Sequence, residues 1–170
     1  VFQQLFDLVD RHELYGLVAY PKRHSRDQIP ALYRWAAHRR GLFVNPALTE
    51  PFGLTLLEAA ACGLPMVATD DGGPRDIHSR CRNGLLVDVT NPDDLQTTLE
   101  QASADSDRWT CWRDNGLNSV SGHFSWDAHV DRYLHLLQQN RHHVSHDAVA
   151  MPHPAGHSKH QRSLVSSLAR

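Results

Sequence analysis

Short apolar runs alternate with segments of helical periodicity along the 170-residue chain. Four of these runs are rich in strand-forming residues, which predicts strands over residues 15–20, 42–45, 66–69 and 84–87. Apolar positions at helical spacing predict helices near residues 2–9, 28–37, 55–62, 92–102, 106–116 and 125–141. Four short strands separated by helices indicate an α/β fold, a Rossmann-like parallel sheet with helices on both faces.

The loops at the carboxyl ends of such strands are where a doubly wound sheet binds its ligands. These are the loops at residues 21–28, 45–54, 70–76 and 88–91. The charge balance argues against polyanionic ligands, because the chain has 17 Lys and Arg against 19 Asp and Glu and no long basic run. We therefore expect neither nucleic acid nor an anionic membrane as partner. The longest apolar run, residues 59–67, is also too short to span a bilayer.

The cysteines and the two chain ends add three expectations. Three cysteines without C-x-x-C spacing argue against a disulfide framework or a zinc site and favour a reducing, cytoplasmic location. Val1 stands inside a helical pattern, which suggests a piece of a longer protein. Residues 142–170 lack aromatic residues and hold six of the 13 histidines, so we expect a domain over 1–141 and a disordered tail or linker over 142–170. His142, His143 and His146 have only a weak metal-binding spacing, and a solvated linker is the stronger interpretation.

The loop after the second predicted strand carries the clearest chemical signal. It places Glu50 in the loop and Glu58 about one turn into the next helix, with the backbone amides of residues 52–55 between them. The first amides of a helix have no internal acceptor and, with the positive end of the helix dipole, they bind phosphate. Gly53 permits close approach of a ligand to the backbone. Two carboxylates beside a phosphate are best matched by neutral hydroxyls, so the pattern indicates a nucleotide sugar.

Plainer interpretations of the same residues remain open at this point. Thr55-x-x-Glu58 is also the pattern of a capping box, in which Glu58 returns to the start of its own helix. Glu50 is equally compatible with a solvated loop acid. Gly72-Gly73, after the third predicted strand, is compatible either with the floor of the ligand site or with a simple tight turn. Neither Gly-x-Gly-x-x-Gly nor a P-loop pattern occurs, which argues against dinucleotide dehydrogenases and P-loop enzymes.

A longer succession of motifs resembles a known family. Glu50 and Glu58 match the E-x7-E signature of retaining glycosyltransferases of the GT-B fold, family GT4. The blocks Tyr20-Pro-Lys-Arg-His24, Glu50-Pro-Phe-Gly-Leu-Thr-Leu56 and Gly72-Gly-Pro74 follow in the order that is similar to the sucrose-phosphate synthases. The resemblance covers about residues 1–137 and implies the C-terminal, donor-binding domain of a GT-B enzyme.

The resemblance implies transfer of glucose from UDP-glucose to fructose 6-phosphate with retained configuration and without a metal or other cofactor. It implies that the catalytic residue Glu50 holds the donor glucose and steadies the charge that develops on it. The backbones of Phe52, Gly53 and Leu54 would meet sugar hydroxyls, the amides of Leu54 and Thr55 the diphosphate, and Glu58 the ribose. Loop 21–29 would border uracil, without a residue assignment.

The same resemblance places the acceptor pocket and a basic Arg–Lys pair in a segment upstream of Val1. We therefore expect the chain on its own to be inactive. Two alternatives stay open: a nucleotide-sugar-binding module without turnover, and a sucrose synthase or other GT4 transferase with a different acceptor. The residues of this chain do not distinguish fructose 6-phosphate from another acceptor, because the resemblance places the acceptor pocket upstream of Val1.

Overall fold

Three parallel strands form the centre of the fold. The computed structural model describes residues 2–20 and 23–144, with side chains described as far as residue 139. The strands β1 (Phe43–Asn45), β2 (Met66–Thr69) and β3 (Gly84–Val87) lie in the order β1-β2-β3. In the register of the sheet, Val67 of β2 pairs with Val44 on one side and Leu85 on the other.

Seven α-helices accompany the strands within the described residues. A short 3-10 turn, Arg26–Gln28, leads into the second helix, and a π-helical turn, Val120–Phe124, follows the sixth. The helices are α1 (Phe2–Arg11), α2 (Ile29–His38), α3 (Leu54–Ala61), α4 (Gly73–Cys81), α5 (Pro92–Ala104), α6 (Ser106–Ser119) and α7 (Trp126–Val144). The chain divides into two compact units at residues 130 and 131, within α7, and the sheet and the loops at its strand ends belong to the first. None of the described helices is long and apolar enough to cross a membrane.

The two faces of the sheet carry separate hydrophobic clusters. On one face, Met66 and Ala68 pack with the α3 residue Leu56 and the α4 residue Ile77. On the other face, Val67 packs with residues of β3, α5 and α6, namely Val87, Ala102 and Trp112. Successive β2 side chains thus point to opposite sides, as the pleat of a strand requires. Burial on both faces explains why β2 is a continuous apolar run rather than an alternating one.

The connection from α3 to β2 is determined by a glycine. Gly63 adopts φ +76° directly after the helix, a left-handed conformation that strains any residue with a Cβ. The amide of Leu64 then donates to the carbonyl of Ala59 at 3.0 Å, which satisfies one of the last helical carbonyls. This sharp turn brings β2 back beside β1, so that the start of α3 and the end of β1 lie at the same edge of the sheet.

Three of the four predicted strands are confirmed, and the prediction over residues 15–20 is wrong. That segment contains a turn with Gly16 at φ +76°, and Tyr15 and Leu17 are exposed. Within the described residues β1 pairs only with β2, so this apolar run has no neighbouring strand to satisfy its backbone. The structure also adds α4, which was not predicted. The tail prediction lies outside the described residues from residue 145 onward, and the domain boundary at 141 stays a prediction.

Candidate functional site

The candidate site lies where the loops that follow β1 and β2 meet. The amide of Gly73 donates to the carbonyl of Glu50 at 2.8 Å, and Glu50 and Gly72 form an isolated parallel bridge. The hydroxyl of Thr49 donates to Oδ2 of Asp71 at 2.9 Å. These contacts extend the strand pairing of β1 and β2 into the loops and hold Glu50 at the carboxyl edge of the sheet, where α/β folds bind ligands.

The Glu50 side chain is held on both of its oxygens. Oε1 accepts the amide of Gly53 at 2.9 Å and that of Phe52 at 3.4 Å, while Oε2 accepts Nδ2 of Asn45 at 3.1 Å. The Asn45 amide and the two backbone amides lower the pKa of Glu50, because they stabilise the charged form. The carboxylate is therefore ionised at neutral pH and has lone pairs left for further donors.

Gly53 makes the turn that starts α3. It is the N-cap of the helix and adopts φ +91°, and a Cβ there would lie 2.9 Å from Cδ1 of Leu56 and 3.0 Å from Cδ1 of Ile77. The backbone conformation therefore favours glycine, and a side chain there would also push on the ends of Leu56 and Ile77. The amides of Leu54 and Thr55 follow it and have no acceptor among the described residues. They form a pair of free donors at the positive end of the helix dipole.

The structure differs from the sequence prediction at two of the four amides. Phe52 and Gly53 donate to Glu50 and are not free, since the loop folds back so that the carboxylate meets them. The capping-box interpretation of Thr55 and Glu58 is wrong, because Thr55 lies inside the helix, the N-cap is Gly53, and no side chain caps it. Thr55 and Glu58 are exposed and three residues apart, on one face of α3.

Gly72 and Gly73 allow the second loop to approach the first. A Cβ on Gly72 would lie 2.3 Å from the carbonyl oxygen of Glu50, and one on Gly73 would lie 2.1 Å from that of Phe52. Gly72 has φ +79°, and Gly73 is the first residue of α4. The pair therefore does more than form a tight turn, because it allows the backbone of the second loop to contact the backbone carbonyls of Glu50 and Phe52.

Sequence reasoning missed several residues around the site. Asn45 is the most important, and in the sequence it is an amide side chain at the last position of a predicted strand. In the loop after β2, Asp70 pairs with Arg75 at 2.7 Å and Asp71 accepts a hydrogen bond from Thr49. On the α2 side, burial and the charge of Glu58 raise the pKa of Tyr33. Within residues 2–20 and 23–139, no cluster of His, Cys, Asp or Glu is arranged to hold a metal ion.

Comparison with known proteins identifies the class. Residues 1–118 match the model of the glycosyl transferases group 1, and the chain belongs to that family. Its fold is the one found in GT-B glycosyltransferases, with a parallel three-stranded sheet between helices. This confirms the Rossmann-like fold predicted from the strand pattern and the family predicted from the motifs.

Relatives with high sequence identity to this chain are sucrose-phosphate synthases. Sucrose-phosphate synthase 1 of Arabidopsis thaliana is 49% identical over 134 residues, which cover 79% of this chain and 13% of that protein. Probable sucrose-phosphate synthase 5 of Oryza sativa subsp. japonica is 46% identical over 157 residues, 92% of this chain and 14% of that protein. A solved sucrose-phosphate synthase from Thermosynechococcus elongatus superposes with a TM-score of 0.67 at 27% identity, covering 81% of this chain and 33% of that one. The chain thus spans about one seventh of the length of these plant relatives.

Proposed function

We propose that the chain is the donor-binding part of a sucrose-phosphate synthase. In this proposal the whole enzyme moves glucose from UDP-glucose to fructose 6-phosphate and gives sucrose 6-phosphate with the α configuration retained. The bond from glucose C1 to the UDP oxygen breaks, a bond from C1 to the fructose hydroxyl oxygen forms, and the hydroxyl proton leaves with UDP. The supporting observation is the start of α3, where two free amides lie between an ionised loop carboxylate and an exposed helical carboxylate.

The free amides of Leu54 and Thr55 suit the diphosphate. Their N–H groups and the helix dipole favour an anion, and no carboxylate of the described residues occupies them. The diphosphate gains negative charge as the bond to glucose breaks. Donors aimed at that position therefore stabilise the transition state more than the bound donor, which is what accelerates the reaction.

Glu50 suits the glucosyl group. A carboxylate has about four acceptor positions, and Asn45 and Gly53 take one on each oxygen at hydrogen-bond distance. The remaining positions can accept sugar hydroxyls, and the fixed negative charge stabilises the positive charge that develops on the glucosyl ring in the transition state. The backbones of Phe52, Gly53 and Leu54 line the same turn and complete the sugar side of the proposed site.

Glu58 suits the ribose. It lies on the exposed face of α3, three residues after Thr55 and four after Leu54, so its carboxylate is one turn away from the amides proposed for the diphosphate. A carboxylate there accepts hydrogen bonds from the two vicinal hydroxyls of a ribose.

The acceptor, fructose 6-phosphate, is proposed to bind mainly in the other domain of the family. The three cysteines are free, in keeping with the cytoplasmic location that the sequence favours.

The experiment that tests this function is Glu50→Ala in a full-length enzyme carrying this segment. We expect turnover to fall by roughly 100-fold or more, while UDP affinity falls by less than about threefold, because UDP lacks the glucosyl group that Glu50 meets. Product formation is measured with fructose 6-phosphate and with fructose. Glu100→Ala is the matched control, since Glu100 is an exposed glutamate of α5 that accepts a hydrogen bond from Gln96 of its own helix.

Three results would count against the proposal. Near-normal turnover of Glu50→Ala would remove the assigned role of Glu50. Preference for fructose over fructose 6-phosphate would indicate a different GT4 transferase, such as a sucrose synthase. The 170-residue chain by itself is expected to bind UDP weakly and to form no sucrose 6-phosphate, and product from it would contradict the proposed division of the active site.

A further inference from the structure

Among the residues that the structure describes, Asn45 is the one side chain that donates a hydrogen bond to the Glu50 carboxylate. It is the last residue of β1, half-buried, and both ends of its amide are used. Its Nδ2 donates to Oε2 of Glu50 at 3.1 Å, and its Oδ1 accepts the amide of Ala47 at 3.1 Å. No feature of the family signature assigns a role to this residue.

The second of these bonds determines the direction of the first. An asparagine amide offers an acceptor at one end and donors at the other. Because the backbone N–H of Ala47 can only donate, it holds the oxygen end of Asn45, and the NH2 end must then face Glu50. The strand β1, which is paired with β2, thereby fixes the orientation of a loop carboxylate five residues further on.

We propose that Asn45 is a positioning residue that holds the Glu50 carboxylate in the orientation needed by the donor sugar. The inference rests on the proposed function for its catalytic consequence, whereas the hold on Glu50 is a property of this chain alone. Gly53 fixes Oε1 from the start of α3, and Asn45 fixes Oε2 from the end of β1. With only one of the two, the carboxylate would rotate about its last bond.

The charged groups on the elements packed against Glu50 do not replace this contact. Asp70 and Asp71 lie in the loop after β2, Arg75 in α4 and Glu58 in α3. Arg75 is paired with Asp70 and is directed to that carboxylate. The pKa of Glu50 is lowered by the Asn45 amide first and then by backbone amides, without a charge among the causes. Loss of the Asn45 donor therefore raises this pKa, and Glu50 takes up its proton at a higher pH.

The first test follows the titration of Glu50 by carbon-detected NMR in the 170-residue chain, with the signal assigned from Glu50→Gln. Asn45→Asp keeps the oxygen that accepts from Ala47 but replaces the donor by a second carboxylate. Asn45→Ala removes both contacts. We expect the pKa of Glu50 to rise in the order wild type, Asn45→Ala, Asn45→Asp, because the last variant adds repulsion. Asn91→Ala is the control, since Asn91 accepts from two backbone amides at the start of α5 and does not contact Glu50.

The second test measures kcat and KM against pH for Asn45→Asp in a full-length sucrose-phosphate synthase carrying this segment. We expect kcat to fall by roughly 10- to 100-fold, as for a misplaced catalytic group, with UDP affinity nearly unchanged and the acid limb moved to higher pH. An unchanged pKa of Glu50 in both Asn45 variants would overturn the positioning role. A raised pKa with normal turnover would support the hold on Glu50 and instead refute the catalytic role of Glu50 in the proposed function.

Discussion

Gly73→Ala is the substitution for which the structure gives the sharpest steric consequence. Gly73 is the first residue of α4 and does not have a positive φ, so its backbone conformation accepts alanine. The space around Gly73, however, does not accept a Cβ atom. A Cβ would lie 2.1 Å from the carbonyl oxygen of Phe52, 2.4 Å from its carbonyl carbon and 2.5 Å from its Cα. All three are backbone atoms, so no side-chain rotation relieves the clash.

The expected losses of stability, turnover and UDP affinity follow from the distance by which the loop must move away from α4. Non-bonded atoms rest at about 3.5 Å, so the loop that carries Glu50 and Phe52 must move away from α4 by more than about 1 Å. Such overpacking lowers the free energy of unfolding by about 1 to 3 kcal/mol. A displacement of that size also costs about 100-fold in turnover. The amides of Leu54 and Thr55 follow directly after the moved loop, so we expect UDP affinity to fall by roughly tenfold, or about 1.4 kcal/mol.

The assay combines UDP titration by calorimetry with thermal unfolding of the same preparation. Gly122→Ala is the matched control, because a Cβ on Gly122 has no atom within 4 Å and Gly122 lies in the π-helical turn. The control should bind UDP as the wild type does. If Gly73→Ala bound UDP with wild-type affinity and unfolded at the wild-type temperature, the tight backbone contact behind Glu50 would be refuted.

Two further changes separate binding from folding. Glu58→Gln weakens the charge-assisted bonds proposed to the ribose, so UDP affinity should fall by roughly tenfold, about 1.4 kcal/mol, while the melting temperature stays unchanged because Glu58 does not cap α3; a lower melting temperature with full UDP affinity would point to a purely structural role. Leu56→Ala removes a fully buried side chain on the same helix and should lower the free energy of unfolding by about 2 to 5 kcal/mol in urea titrations. Leu17→Ala, at a side chain 79% exposed, should change it by less than about 0.5 kcal/mol, and equal losses in the two variants would contradict the assigned core.

The strands are predicted correctly where an apolar run reflects burial on both faces of the sheet. Residues 66–69 and 84–87 are predicted with the bounds that the structure gives, because parallel strands packed against helices on both faces are short apolar runs between turn residues. Residues 15–20 have the same local pattern and are not a strand. What differs is the presence of a neighbour to pair with, which is a tertiary property that no local window contains.

The helix α4 was missed although a weak signal was present. Its opening Gly72-Gly73-Pro74 is typical of a turn, and that signal outweighed the four-residue spacing of the buried Ile77 and Cys81. At the site, sequence spacing indicated Glu50, Glu58 and the amides of residues 52–55, and of these four amides those of Leu54 and Thr55 have no acceptor among the described residues. Sequence spacing did not indicate that Glu50 folds back onto the amides of Phe52 and Gly53, since a carboxylate four residues before the first residue of a helix can face solvent or backbone equally well.

The arrangement around Glu50 suggests why the site is assembled from three elements rather than one loop. For its proposed role beside a developing positive charge, Glu50 has to be ionised, and the donors from β1 and the α3 start favour the ionised form. It also has to resist rotation and drift, which requires contacts of different direction: Asn45 from the strand, Gly53 from the helix start, and the Gly73 amide on the Glu50 carbonyl from α4. Asn45 makes its contact with Glu50 and not with the hydrophobic core, whereas a side chain at Gly53 would meet the core residues Leu56 and Ile77. Variants at Asn45 should therefore reduce turnover more steeply than they reduce stability, and variants at Leu56 should do the reverse.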